Sequence, residues 1–341
     1  MSEQYNLANP EFYERTAMRP TMRTWIKHTG LLFITFVTST IAGVLYPFGL
    51  IGTLPEGDPQ TWPEIFQFIE SLPERYLALI ANAVYLLFTN VEYLTYGLSF
   101  SLSLLFILIS HEMGHYIACR IYGVDATLPY FIPTPPMIGP AGTFGAFIKI
   151  MSPMPSRKAV FDIGVAGPIA GFIALIPIAV IGIATMQTAT SEQMASSGGI
   201  VFADPLLMEI IAWLLGMDLN FGIGNAFYFA AWVGLLVTAL NLIPSGQLDG
   251  GHAIYSVFGG MVHRLTGIIA FVIMAALSVL GWIYFNSPSG FLIAILLGVM
   301  MRIRHPEPYD KRPLDAKRKA ITFLTFVIFI LCFVPFPIRI S

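Results

Sequence analysis

Uninterrupted apolar runs near the roughly 20-residue length needed to cross a bilayer set the pattern of this chain, at about 30–54, 77–94, 97–119, 159–186, 222–244, 264–285, 288–303 and 320–338. Six are clear spans. The run at 77–94 is broken by Asn82, Asn90 and Glu92 and meets the next with almost no loop, and the run at 288–303 is short. Either is expected to be tilted, partial or re-entrant. The pattern predicts an all-α polytopic membrane protein of about six to eight transmembrane helices. The loops are too short for a separate soluble domain. We divide the chain into an N-terminal tail (1–29), N-terminal transmembrane segments (30–96), a core (97–260) that holds all the candidate chemistry, and C-terminal transmembrane segments (261–341).

Composition agrees with the membrane setting. Of 341 residues 56% are hydrophobic and 11% charged, and mean hydropathy is +0.72, outside the usual range of soluble domains. Cys119 and Cys332 lie far apart in or beside apolar segments and predict neither a disulfide framework nor a thiolate metal site. The net charge of −2 gives no basic stripe for nucleic acid. Instead the cations flank spans, as orientation in a membrane requires. Arg120, Lys149, Arg157 and Lys158 mark one cytoplasmic loop, and Arg302, Arg304, Lys311, Arg312, Lys317, Arg318 and Lys319 mark another. Glu192, Asp204, Glu209 and Asp218 mark the opposite side, where Pro205–Trp213 reads as an amphipathic lid or an interfacial helix.

One conflict follows from these charges. Arg15, Arg19, Arg23 and Lys27 hold the N-terminus inside, which allows one or three crossings before the 97–119 helix, not two. Either 77–94 does not fully cross or the N-terminus is outside. The tail reads as neither a cleavable signal nor, with Glu3, Glu11 and Glu14, an organelle transit peptide, so a bacterial cytoplasmic membrane is the simplest expected location.

Chemistry concentrates in two places. His111-Glu112-Met113-Gly114-His115 lies at the end of an apolar run, where ionisable groups are costly and by default functional. On a helix the two imidazoles, four positions apart, project from one face and can share a metal, with Glu112 turned toward its water. That is a metal-assisted peptide hydrolysis arrangement. A third ligand is needed. Asp249, in Asn241-Leu242-Ile243-Pro244-Ser245-Gly246-Gln247-Leu248-Asp249-Gly250, stands where the chain leaves apolar surroundings on the same membrane side. Taken alone, Asp249 reads first as the cap of a helix beginning at Gly250, a common place for Asp.

Those two motifs together resemble the site-2 protease family of intramembrane zinc metalloproteases (peptidase family M50). Asp162-Ile163-Gly164-Val165-Ala166-Gly167-Pro168-Ile169-Ala170-Gly171 is similar to the small-residue stretch on the helix beside that family's active site. Pro129-Tyr130-Phe131-Ile132-Pro133 and Gly142-Thr143-Phe144-Gly145-Ala146-Phe147-Ile148 look most like the branch shared by bacteria and plastids, which lacks an inserted PDZ domain. The resemblance implies one Zn2+ per chain held by His111, His115 and Asp249, Glu112 as the residue that activates water, and Asn241 beside the scissile carbonyl. It implies a membrane-dipping β-loop near 129–150, in which Gly142, Thr143, Phe144, Gly145 and Ala146 bind an extended transmembrane protein substrate by strand addition. An ordinary interfacial loop is the alternative there, and the prolines at 133, 135, 136 and 140 exclude a regular helix.

Other residues carry smaller expectations. Gly164, Gly167 and Gly171 allow close helix packing, Arg120 anchors a helix end at the interface, and His252 either orients Asp249 or faces the cytosol. His28, His263 and His305 read as interfacial. Two alternatives to an intramembrane protease stand. A zincin of another family would need a downstream glutamate, and Glu209 and Glu307 are poorly placed; a metal-binding transporter would spread polar residues over several spans, and here they sit in two places. Lipid is the expected partner besides substrate; oligomeric state has no signature in the sequence.

Overall fold

The computed structural model describes residues 17–52, 60–189, 200–303 and 307–340. Glu3, Glu11, Glu14, Arg15, Glu192, Arg304 and His305 lie outside the described residues. In chain order, two short 3-10 turns aside, the elements are α1 (Met22–Val44), α2 (Trp62–Thr89), α3 (Val91–Ile121), β1 (Tyr130–Pro133), β2 (Thr143–Phe147), α4 (Arg157–Ala184), β3 (Gln187–Thr188), β4 (Ile200–Phe202), α5 (Leu206–Leu215), β5 (Gly222–Ile223), α6 (Ala226–Leu242), α7 (Asp249–Phe258), α8 (Gly260–Phe285), α9 (Ser289–Met300), α10 (Ala316–Cys332) and β6 (Ile338–Ile340). The strands form three antiparallel pairs, β1–β2, β3–β5 and β4–β6. The chain is an all-α integral membrane protein with one short hairpin near the predicted β-loop. Helices α3, α4 and α8 are long and apolar enough to cross a membrane, and α5, α6 and α9 are shorter apolar helices.

Three helices make the centre. Phe100, Leu104 and Ile107 of α3, Leu175 and Ala179 of α4, and Ala230, Ala231 and Leu235 of α6 are fully or almost fully buried together. In lipid, apolar side chains gain little by leaving one apolar medium for another, so helices associate through close packing and small residues. Here α3 and α4 meet at Gly114, where a Cβ would lie 2.5 Å from the Ala166 carbonyl oxygen. By contrast the apolar window of α8 is 17% buried, against 44% for α3 and 50% for α4. Helix α8 is therefore peripheral and faces lipid.

The crossing conflict resolves at α1 and α3. Phe100 near the start of α3 packs against Gly43 at the end of α1, while Arg120 at the end of α3 donates to the Met18 carbonyl just before α1. The two helices are antiparallel, so the end of α1 and the start of α3 share one membrane face. Helix α2 and its linker consequently make no net crossing, and α2 buries little, with Ala83 and Leu87 its buried residues. Asn90 joins α2 to α3 with an extended backbone, and its side chain accepts from the Glu92 N–H at 2.9 Å. A residue that interrupts hydropathy is thus a helix cap, and α3 begins at Val91, six residues before the expected boundary. Helix α1 likewise starts at Met22, inside the segment assigned to the tail.

The hairpin dips along α1. His28, near the start of α1, is buried against the hairpin, and its Nδ1 donates to the Pro129 carbonyl at 2.9 Å. Thr38 donates its hydroxyl to the Gly142 carbonyl at 2.8 Å. Ten residues of helix separate these anchors, a depth of about 15 Å. On the basic side, Arg318 at the start of α10 grips Asp162 of α4 through Nε–Oδ1 (2.9 Å) and Nη2–Oδ2 (2.5 Å), and Tyr122 after α3 donates to the same carboxylate. Such a two-point guanidinium–carboxylate contact fixes orientation as well as distance.

Gly114 supplies a direct check of the α3–α4 approach. Replacing it with alanine should destabilise the detergent-solubilised protein by about 1–3 kcal/mol, the usual cost of overpacking. Gly30→Ala, on an open helical surface with nothing within 4 Å, should not lower the unfolding midpoint. Equal midpoints for the two variants would contradict the packing.

Candidate metal centre

Helix α3 carries His111, Glu112 and His115, all buried, on the turns that face α4. On α4 two small residues clear the two imidazoles, and a third clears His252 of α7. A Cβ at Gly167 would collide with the His115 imidazole, one at Gly171 would stand 3.1 Å from His111 Cβ, and one at Gly164 would stand 2.8 Å from His252 Cβ. The stripe Gly164, Gly167, Gly171 is therefore the clearance that lets two imidazoles lie between packed helices, a more specific role than close packing alone.

The turn after α6 supplies the third group. Asp249 is the first residue of α7; Leu248 is the cap residue, and no side-chain cap bond is made there. Asp249 is thereby not spent on capping. Its Oδ2 lies 3.3 Å from His111 Nε2 and 3.3 Å from His115 Nε2, and the two Nε2 atoms are 3.1 Å apart. His115 Nδ1 sits 2.6 Å from the Ile163 carbonyl oxygen. A carbonyl only accepts, so Nδ1 carries the proton and Nε2 of the neutral ring presents a lone pair. Lone-pair donors converging so closely repel unless a cation lies among them. Tetrahedral zinc with bonds of about 2.0–2.2 Å puts neighbouring donors roughly 3.3–3.6 Å apart. The donor set and its spacing fit that ion, and among the described residues this is the one His/Cys/Asp/Glu group of three that can hold a metal.

A cavity of about 550 Å³ opens onto these atoms. Glu112 and Asn241 line it, with Glu112 Oε1 at 4.0 Å and Asn241 Nδ2 at 3.4 Å from His111 Nε2. His252 and Gln247 line it as well. The opposite wall is the end of β2 and the chain after it, Ala146 to Ile150. Strand β2 pairs with β1 on one edge, and among the described residues its other edge pairs with no strand. Of the five hairpin residues expected to meet substrate, Ala146 lines the cavity. Gly142 packs against Thr38 of α1 and Thr143 is buried with its hydroxyl donating to Ile132, whereas Phe144 is exposed and Gly145 has open space at its α-carbon. The cavity wall continues from Ala146 through Phe147 to Ile150, inside the expected β-loop near 129–150 and beyond the five residues expected to meet substrate. The sequence pattern does not reveal the Ile163 carbonyl, because a backbone acceptor has no residue-type signature. Cys119 and Cys332 are both free and buried.

Comparison with known proteins is consistent with this geometry. The chain is 30% identical over 220 residues to the probable zinc metalloprotease EGY2, chloroplastic, of Arabidopsis thaliana, a match covering 63% of this chain and 37% of that protein. It is 31% identical over 183 residues to the probable zinc metalloprotease EGY1, chloroplastic, of the same plant, covering 51% and 32%. The EGY1 protein of Oryza sativa subsp. japonica is 32% identical over 154 residues, covering 44% and 26%. The chain thus spans about a third of the length of the curated relatives it matches. No solved structure matches it. Residues 99–281, more than half of the 341, match peptidase family M50 and take in both motif clusters; the chain belongs to that family.

Proposed function

We propose that this protein is an intramembrane zinc endopeptidase that hydrolyses peptide bonds in transmembrane segments of other proteins. The observation that carries the reading is the convergence of His111 Nε2, His115 Nε2 and Asp249 Oδ2 within 3.3 Å of one another, beside a carboxylate that belongs to none of them. His111, His115 and Asp249 hold the zinc. When bound, the ion supplies a water of pKa about 7 and polarises the substrate carbonyl.

The remaining steps belong to the chain. Glu112 takes the proton from the attacking water and returns it to the leaving amine, the general acid–base role its place in the cavity suits. Asn241, whose amide nitrogen lies 3.4 Å from His111 Nε2, donates its amide N–H toward the carbonyl oxygen. Ile163, through its carbonyl, keeps His115 in the tautomer that points Nε2 inward. A helical substrate hides its carbonyls in its own hydrogen bonds, so it must be extended before attack. The unpaired edge of β2 offers a partner for such a strand, with Gly145 and Ala146 leading it into the cavity and Phe144 held out toward solvent or lipid. Water reaches the site from the side of the basic loops. That side is assigned to the cytoplasm by loop charge, and a bacterial cytoplasmic membrane is part of the same proposal.

Two experiments bear on it. With a single-span reporter protein co-reconstituted in liposomes, Glu112→Gln should lower the cleavage rate by about 10²–10⁴-fold and leave zinc per chain unchanged; cleavage at the wild-type rate would overturn the role of Glu112. Gly167→Ala should reduce zinc per chain to near zero by displacing His115, while Gly171→Ala, whose added carbon needs a shift of only a few tenths of an ångström, should retain most of it. Full zinc in Gly167→Ala would contradict the clearance role of the stripe.

A further inference from the structure

The turn between α6 and α7 separates two cavities. Gln247, Leu248 and Asp249 face the first. Gly246 faces the second, a cavity of about 730 Å³ bounded by α7, the start of α8, the end of α9 and the chain after it. Its polar lining is cationic: Arg157, Arg264, Arg302 and Lys311, joined by the Tyr255 hydroxyl and the His263 imidazole. The one acid among the described lining residues, Glu307, is paired with Lys311 at 2.5 Å. Three guanidinium groups thus remain without an acidic partner in the described lining of the cavity.

Orientation in the membrane accounts for cations on this side, but not for their convergence on one cavity. Arg157 is the first residue of α4, a helix with no acid in its first turn, so the positive end of the helix dipole opposes the charge. The four cations come from three separate stretches of chain, the start of α4, the start of α8 and the loop after α9, yet converge on one space. Like charges gathered in this way are stabilised by an anion, and guanidinium groups match the paired oxygens of a phosphate.

The apolar part of the lining decides between a soluble anion and a lipid. Ile268, Met301 and Ile303 complete the wall and are partly exposed. From Arg264 the exposed side chains Leu265, Ile269 and Val272 continue down the outer face of α8, the helix that buries least in the protein core among the three long spans. A cationic pocket at a helix end, opening onto a lipid-facing stripe, has the layout of a phospholipid: headgroup above, acyl chains below. We propose that this cavity binds the headgroup of an anionic phospholipid from the leaflet on the basic-loop side, its phosphate held by Arg157, Arg264 and Arg302 and its chains lying along α8.

The test is calorimetric titration of the detergent-purified full chain with dioctanoyl phosphatidylglycerol, dioctanoyl phosphatidylcholine or sodium phosphate. Saturable one-to-one binding of the phosphatidylglycerol, at least tenfold tighter than the phosphatidylcholine or phosphate, is expected. Arg264→Gln with Arg302→Gln should weaken it at least tenfold at an unchanged unfolding midpoint, and Lys317→Gln with Lys319→Gln, exposed cations outside the cavity, should leave it unaltered. Equal affinity for the two lipids would overturn the proposal on the wild-type protein alone. So would phosphate binding as tightly as phosphatidylglycerol, which assigns the pocket to a free anion, or equal losses in both double variants, which reduces the effect to net charge.

Discussion

Two imidazoles and a carboxylate meet at one point here because α3 and α4 lie almost backbone to backbone. At Gly114 the separation leaves no room for a single methyl group, and across from it on α4 Gly167 and Gly171 make room for the side chains of His115 and His111. The same contact brings the Ile163 carbonyl to His115 Nδ1. Distance, clearance and tautomer are therefore set together by one helix pair. In a bilayer such a pair cannot rely on the hydrophobic effect to press it together, so small residues and polar contacts at its ends carry the association. The Arg318–Asp162–Tyr122 contact supplies one such tie, joining the end of α3, the start of α4 and the start of α10 on the side where the metal centre opens.

The rest of the architecture serves to bring two things to that helix pair. The first is Asp249, delivered by the turn after α6 at the start of a helix whose cap residue, Leu248, makes no side-chain cap bond. The second is an extended edge. The hairpin is pinned at His28 and at Thr38, two points on α1, so its depth in the membrane follows from helix rise and not from its own sequence. Beyond β2 the chain runs along the cavity that His111, His115 and Asp249 also line, the wall along which we propose that an extended peptide lies. Peripheral helices such as α8 add lipid contact and, at their ends, charge.

Much of this is legible in the residues. Ionisable side chains in an apolar span are expensive, so His111, Glu112 and His115 announce a function from the sequence alone, and Asp249 follows from the need for a third ligand on the same side. The hairpin is legible in outline from its glycines and prolines. Three things are not. Asn90 looks like an interruption in hydropathy and is a cap, because hydropathy does not distinguish a polar residue that ends one helix from one that starts the next. His28 looks interfacial beside its basic neighbours and is buried, because its partner is a backbone carbonyl a hundred residues away. The glycine stripe on α4 predicts packing, but what it packs around is a property of the facing helix. For His28 and the glycine stripe the missing information is tertiary, a partner and not a propensity; for Asn90 it is local, a cap on the N–H two residues on.

That His111, His115 and Asp249 jointly hold one zinc ion is tested most directly by zinc K-edge X-ray absorption on the detergent-purified full chain. The expected result is one zinc per chain with two imidazole nitrogens and oxygen ligands at about 2.0–2.2 Å, and a loss of bound zinc in Asp249→Ala. Sulfur in the coordination shell, or a folded wild-type protein that holds no zinc, would contradict it.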